Sequence, residues 1–271
     1  MRGLSSESAG GPPSLAPLSV ILITRNEEAN IRECLASVAF AREIVVVDSG
    51  STDATVALAR AAGARVLVTP DWPGFGPQKN RALDLATEPW VLSLDADERV
   101  SPELREEILA VVAKDDGAGP DTWSLPRRSS FCGQDILHSG WYPDRVARLF
   151  RRGKARFSDD LVHERLVTAA PPGQLRSDLL HATYPDLESM LEKLNRYSSA
   201  SAEGMFRQGR RSSLGGALMR GGWAFVRTYL LRGGWRDGRM GLVLALSIAE
   251  GTYYKYLKLW LLSRPPGKDG P

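Results

Sequence analysis

The first hundred residues alternate between two patterns. Four short, continuously apolar runs, LSVILIT, EIVVVD, ARVLV and WVLSLD, are separated by stretches of helical length and periodicity. Runs of this kind suit strands covered on both faces, so the pattern predicts a βαβαβ arrangement around a mostly parallel sheet. That arrangement carries right-handed crossovers and places ligand chemistry at the C-terminal ends of the strands. Ser101 followed by Pro102 predicts a further helix over 101–114, with the serine as cap and the proline at its first position. The stretch DDGAGPD at 115–121 breaks the pattern, and 123–167 gives short strand-like pieces, TWSLP, RVARLF and LVHERLV, that predict a mixed extension of the sheet. Helical patterning returns at LESMLEKLNRYSSASAEGMF and in GLVLALSIAEGTYYKYLKLWLL at 241–262.

That last segment is long enough to span a bilayer, and its charges argue otherwise. At 100° per residue, Ser247, Glu250, Gly251, Lys255 and Lys258 share one arc, with mostly Leu, Ile, Tyr and Trp elsewhere. One Glu and two Lys disfavour a spanning helix, and the Trp, Tyr and Lys residues suit an interfacial one.

Composition adds limits. A chain of 271 residues, 43% hydrophobic and 25% charged, is sized for one α/β domain with an appendage. Residues 1–17 are rich in Ser, Gly and Pro without an apolar core, which reads as a disordered tail and not a secretory signal. Cys34 and Cys132 have neither disulfide-framework nor zinc spacing, so a reducing, cytoplasmic setting is expected. The net charge of +3 hides an asymmetry: from Gly204 onward twelve Lys and Arg face three acids, leaving +9 there and −6 in the rest.

The polar residues that end the apolar runs carry the candidate chemistry: TRNEE after the first, DSGSTD after the second, DADE after the fourth. Asp95 and Asp97 form an Asp-x-Asp at a strand end, where unpaired anions are costly unless a cation joins them. Mg²⁺ or Mn²⁺ with substrate phosphates would be such a partner; a solvated acidic turn is the alternative. Glu98 is expected to face the first turn of the segment that follows. Asp48 can accept from a base N–H or a ribose hydroxyl, or simply cap the following helix. Gln78, Lys79, Asn80 and Arg81 cluster at a helix start, a reasonable place for phosphate.

Taken in order and within about 75 residues, strand-TRNEE, strand-DSGSTDAT, QKNRAL and strand-DADE resemble the family-2 glycosyltransferases of the GT-A fold. The resemblance implies that the first loop, through Thr24, Asn26 and Glu27, and Asp48 hold the nucleotide, that Lys79 and Asn80 belong to the same site, and that Asp95 and Asp97 bind the diphosphate through a metal. Further on, GWYPDRVARLFRRGKARFSDDLVHERL, LLHATYPDLESMLEKLNRYS and LRGGWRDGRMGLVLALSIAEGTYYKYLKLW are similar to the lipopolysaccharide inner-core β-1,4-glucosyltransferases. The implied division is a nucleotide-sugar-binding half at 18–115, an acceptor-binding, catalytic half at 116–185 and a helical, basic, membrane-proximal extension at 186–271.

Inverting transfer from a nucleotide-diphospho sugar needs a general base for the acceptor hydroxyl, and metal and cationic groups to neutralise the leaving diphosphate. Glu164 is the first choice as base, with Asp160 behind it; either acid can equally be ion-paired to Arg156 or Arg165. His163 is placed to orient the site. His181 is a third metal ligand or a hydrogen-bonded structural residue. Arg145, Arg148, Arg151, Arg152, Lys154 and Arg156 meet an acidic acceptor or form a solvated strand face. With the basic C-terminal quarter, these features favour a UDP-sugar donor, an anionic lipid-linked saccharide acceptor and a peripheral position at the inner face of the bacterial cytoplasmic membrane. No nucleic-acid reader pattern occurs, which argues against that partner. A sugar nucleotidyltransferase, the nearest alternative enzyme, wants a Gly-rich phosphate loop where TRNEEAN stands, a DxD phosphatase wants its first acid after the first strand, and a non-catalytic membrane-surface module would bind no nucleotide with metal.

Overall fold

The apolar runs form strands and the periodic stretches form helices. The computed structural model describes residues 15–114, 117, 119–159 and 164–264. In chain order the elements are β1 (Ala16–Thr24), α1 (Ile31–Ser37), β2 (Ala41–Asp48), α2 (Thr55–Ala61), β3 (Arg65–Val68), α3 (Phe75–Leu85), β4 (Trp90–Leu94), β5 (Glu98–Val100), α4 (Pro102–Ala113), β6 (Thr122–Phe131), β7 (Gln134–Asp135), β8 (Asp144–Arg151), β9 (Ala155–Phe157), β10 (Leu166–Thr168), β11 (Gly173–Gln174), β12 (Leu179–Tyr184), α5 (Leu187–Arg207), α6 (Leu214–Phe225) and α7 (Gly238–Leu262). Two compact units are distinguished, one holding the described residues up to Leu125 with Ala147–Ser177, the other Pro126–Val146 with Asp178 onward.

In the first unit the sheet order is β3-β2-β1-β4-β8. The β1–β2, β2–β3 and β1–β4 pairs are parallel, and β8 runs antiparallel to β4, with Trp90 opposite Arg151 and Leu92 opposite Leu149. The mixed, helix-flanked sheet is the architecture the sequence pattern predicts. Parallel strands covered on both faces bury nearly every side chain, as all five residues of β4 are buried. The core joins Ile21, Val45, Val47 and Val91 of the strands to Ala82, Leu83 and Ala86 beside α3 and to Phe150 and Phe157. Each Val, Leu, Ile or Phe among them, fully buried, contributes about 1.5–3 kcal/mol. At the start of α4 the Ser101 hydroxyl accepts from Leu104 N at 3.1 Å, with Pro102 in the first turn, as its sequence signals. β9 and β10 form an antiparallel hairpin.

In the second unit β12 lies parallel and β7 antiparallel to β6. Phe131, Ile136, Met190 and Leu244 make its core, with Trp141 and Tyr184 packed against them. Three helices follow. α6 lies against α7 through the small buried residues Ala217, Gly221 and Ala224; a Cβ on Gly221 would come within 3.0 Å of Tyr253 Cβ and 3.2 Å of Ala249 O. Most of the polar arc of α7, read from the sequence as suiting an interfacial helix, meets α5. Lys258 Nζ donates to Asn195 Oδ1 at 2.7 Å and to the hydroxyls of Ser198 and Ser199 at 2.8 Å each, Gly251 sits against Leu194, and Ser247 is buried. No helix among the described residues is long and apolar enough to cross a membrane.

Candidate active site

The loops that follow β1 and β2 stand side by side and are locked by reciprocal bonds. Asn26, in the left-handed region at φ 56°, accepts at Oδ1 from Thr52 N at 2.9 Å, while its own N–H donates to Ser51 Oγ at 2.8 Å. Glu27 N donates to Thr55 Oγ1 at 2.7 Å, and Glu28 exchanges bonds with Asp53 and Ala54 N. Asp48 is fully buried at the end of β2 and accepts from the Thr24 hydroxyl (2.9 Å), Gly50 N (3.1 Å), Ser51 N (2.8 Å) and the Ser51 hydroxyl (2.5 Å). An ionised carboxylate offers about four acceptor sites, so these four donors organise the turn around it. The sequence-proposed nucleotide residues Thr24, Asn26, Glu27 and Asp48 thus lie together in two loops tied to each other at the strand ends.

At the end of β4 a string of alternating charges runs through the first unit. Lys79, 5% exposed, donates from Nζ to Glu164 Oε1 at 2.8 Å and pairs with Asp95 Oδ1 at 3.0 Å. Arg148, 8% exposed, donates from Nη2 to Asp95 Oδ2 at 2.5 Å and to Glu98 Oε1 at 2.6 Å. Glu98, fully buried, accepts at Oε2 from Asp95 N at 3.0 Å. Five side chains, three acidic and two basic, therefore satisfy one another where isolated charges would be prohibitively desolvated. Burial pushes the Asp95 pKa up, but Arg148 and then Lys79 outweigh it and hold the carboxyl well below the usual carboxylate range. The side chain of Asp95 still keeps 34% of its surface open, so it is both anchored and accessible. Cys34 lies beneath, its Sγ 3.6 Å from Asp95 O, and burial pushes the thiol up to about 12, which makes it a packing residue and not a nucleophile.

Lys79 is on the first turns of α3, whose approach to Ser158 and Glu164 depends on Gly76. A Cβ there would lie 1.8 Å from Ser158 O and 3.6 Å from Glu164 Cβ. Asn80 takes a different part from the nearby lysine: its amide donates to Phe157 O at 2.9 Å and accepts from Phe157 N at 3.0 Å, clamping β9 to the helix. Gln78, also buried, donates to the hydroxyls of Ser49 and Thr69. Asp160 and His163 lie outside the described residues.

Asp97 follows Asp95 by two residues and is half-buried. Among the described residues no three His, Cys, Asp or Glu side chains gather in a metal-binding arrangement. His181 is on β12 in the second unit, where its Nδ1 lies 3.0 Å from Ser129 Oγ and 2.9 Å from Thr183 Oγ1. Of the basic residues in and after β8, Arg148 belongs to the charge string. Arg151 pairs with Asp121 at 3.2 Å and stacks on Trp90 at 4.7 Å, and Arg156 pairs with Asp84 at 2.8 Å.

Sequence reasoning did not anticipate Arg148 and Glu98 in this string, nor the close approach at Gly76. Glu98 turns inward, not toward α4, because Arg148 supplies a buried cation for it. The available signal for Glu98 was its place in the alternating burial of β5, inward with Val100.

The family model for glycosyl transferase family 2 matches residues 19–159. The lipopolysaccharide core biosynthesis glycosyltransferase LpsC of Rhizobium meliloti (strain 1021) is 36% identical over 251 residues, covering 89% of this chain and 90% of that protein. Among solved structures, S. aureus TarS 1-349 is 18% identical, with a TM-score of 0.43 over 67% of this chain and 64% of that chain. Glucosyl-3-phosphoglycerate synthase from Mycobacterium tuberculosis, in complex with Mn²⁺, uridine diphosphate and glucosyl-3-phosphoglycerate, is 27% identical, with a TM-score of 0.35 over 42% of this chain and 44% of that chain. The family match takes in both strand-end loops, α3 and the acidic end of β4, and a relative of this identity extends along almost the whole sequence: the chain belongs to glycosyl transferase family 2.

Proposed function

We propose that this chain is an inverting hexosyltransferase that uses a UDP-sugar donor and a lipid-linked saccharide acceptor, in its most specific form glucose from UDP-glucose onto an inner-core heptose of lipopolysaccharide. The observation that carries the reading is the position of Lys79, one buried ammonium touching both Asp95 at the strand end and Glu164. Two carboxylates on one buried ammonium belong to a single site, which supports assigning the base and the diphosphate end of the donor to it. The name of the R. meliloti relative supports the core-saccharide acceptor.

The roles follow from the chemistry of each group. The loops around Asp48 shape the edge on which the nucleoside rests. Lys79 and Arg148 fix Asp95, and because the string holds three acids against these two cations, a divalent cation would be needed to offset the negative charge that grows on the donor diphosphate as the glycosidic bond breaks. Glu164 accepts the proton of the acceptor hydroxyl on the opposite face, giving inversion in one displacement. The donor set fits a divalent cation carried in with the substrate and not a preformed cage. Asp95 has an oxygen on each of two cations, and Asp97, half-buried, follows two residues on. One or two carboxylates with phosphate oxygens and water are the usual shell of Mg²⁺. Bound there by Asp97 and Asp95, Mg²⁺ or Mn²⁺ would supply Lewis-acid neutralisation of the diphosphate. The same reading places the protein peripherally at the inner face of the bacterial cytoplasmic membrane, where a lipid-linked acceptor is made available.

The test is UDP release from UDP-glucose with a purified heptosylated core acceptor, against a panel of other UDP-sugars. Turnover confined to UDP-glucose and this acceptor supports the specific form. Turnover with another envelope saccharide alone would replace it, and full activity in Asp97→Ala would remove the metal role.

A further inference from the structure

Helix α6 is built the wrong way round for a helix in water. Its sequence, LGGALMRGGWAF, holds one charged residue in twelve, and the face it buries carries only Ala217, Gly221 and Ala224. The large side chains point outward: Leu218 is 57% exposed, Met219 76% and Trp223 57%. At 100° per residue Met219 lies close to the pole opposite the buried stripe, with no charge within a quarter turn of it. The same surface character continues past the helix, through a π-helical turn Val226–Leu231 and a 3-10 turn Gly234–Asp237, in Leu230, Leu231 and Trp235, which are 55%, 67% and 57% exposed. A helix apolar on every side is a buried helix, so this face is missing its cover.

Charge identifies the cover. Between Arg207 and Arg239 there are eight arginines and one acid, Asp237. That acid is itself buried and accepts from Leu137 N, His138 N and the Ser139 hydroxyl, so it does not offset the surface charge. Among the described residues Arg207 alone of the eight takes part in an ion pair, with Glu203. Arg220, held over the Tyr256 ring at 4.4 Å, flanks the apolar pole. Exposed apolar side chains and two Trp, in a segment whose eight arginines are all exposed, match the boundary of an anionic bilayer, where hydrocarbon meets phosphate.

We infer that this segment, α6 with the two turns after it, is a membrane-docking face that inserts Met219, Trp223, Leu230, Leu231 and Trp235 into the outer part of an anionic leaflet. This replaces α7, whose polar arc is spent on α5, as the interfacial element. The inference rests on the membrane-surface part of the reading above and gives it a location. Small residues on the buried side let α6 sit flat on α7, so that the long side chains are free for lipid.

The test is flotation of the full chain with phosphatidylcholine vesicles and with vesicles containing one quarter phosphatidylglycerol. Binding to the anionic vesicles alone is expected, weakened about fivefold for each of Arg227→Gln and Arg236→Gln. Met219→Asp with Trp223→Asp is expected to lower partitioning at least a hundredfold, while Val167→Asp, one such charge at a site 59% exposed in the other unit, leaves it unchanged. Both substituted side chains are exposed, and an unchanged circular dichroism spectrum checks that the variant is folded. Equal binding by parent and double variant overturns the inference. So does a parent that ignores both vesicles and forms a dimer that the double variant dissolves, which would assign the face to a second copy. UDP binding with Mn²⁺, measured by calorimetry without vesicles, separates the two readings: its retention when flotation fails removes the docking face alone, and its loss removes the transferase site.

Discussion

Removing Arg148 tests the charge string directly. Arg148→Met keeps the length and apolar stem of the side chain and deletes the guanidinium that joins Asp95 to Glu98. Glu98, with no exposed surface, then keeps the bond from Asp95 N but loses its counter-charge. Breaking a buried ion pair from one side costs about 3–5 kcal/mol, because the surviving charge stays desolvated. Arg148→Met with Glu98→Gln removes that stranded charge while leaving an acceptor for Asp95 N, and is expected to recover about half of the loss. The sign of the pH dependence follows from Asp95. Its folded pKa is depressed against the opposing effect of burial, by Arg148 first and Lys79 second, so its contribution is complete above an unfolded value of about 4 and drains away as pH falls toward the folded one. Without Arg148 the folded value rises and that acid-sensitive contribution shrinks, so the gap between parent and variant holds from pH 7.5 down to about 4 and narrows below it, toward about pH 2.5. Chemical denaturation of the three proteins at about pH 7.5 and about pH 2.5 measures it. A loss below about 1 kcal/mol, or a gap that is the same at the two pH values, would refute the coupling of these charges.

Three further outcomes check the site. Glu164→Gln is expected to lower kcat by about 10²–10⁴ with UDP affinity retained, measured by UDP release and calorimetry; an unchanged kcat removes Glu164 as base. Gly76→Ala drives a methyl group to 1.8 Å from Ser158 O, so the segment carrying Glu164 must move; a fall in kcat of tenfold or more with a melting temperature only a few degrees lower is expected, and parent-like kinetics would contradict it. Asp48→Ala removes the acceptor of the buried Thr24 hydroxyl and of Gly50 N and Ser51 N at a partly exposed turn, an expected cost of about 1–3 kcal/mol in thermal or chemical unfolding, with Asp48→Asn recovering part of it; a stability equal to the parent's would show that the turn holds without this acceptor.

Much of the first unit was legible in the sequence because its signals are local. A continuous apolar run of strand length admits few burial patterns, a Ser-Pro pair starts a helix within four residues, and strand-end acids lie where the strand they follow ends. The loop residues Thr24, Asn26, Glu27 and Asp48 were found together for the same reason. Asn80 was read by its neighbourhood and not its partner: beside Lys79 in sequence, it turns to the backbone of Phe157, a choice made 77 residues away.

What the sequence by itself determined is the alternation of strands and helices over the first hundred residues, the start of α4, the helical stretches of α5 and α7 and the loops that bring chemistry to one edge of the sheet, since propensity, periodicity and capping act over a few residues. What only the tertiary structure decided is how charges and faces are partnered. Arg148 lies 53 residues from Asp95 and Glu164 85 residues from Lys79, and nothing local distinguishes them from a solvated basic strand or a surface acid. The helices make the same point: the polar arc of α7 was visible as an arc, but that it faces α5 while the large side chains of α6 face outward depends on small residues allowing two backbones to approach. Desolvation makes a buried charge or an uncovered apolar face costly until a partner is found, and the fold supplies that partner across distances a local pattern does not reach.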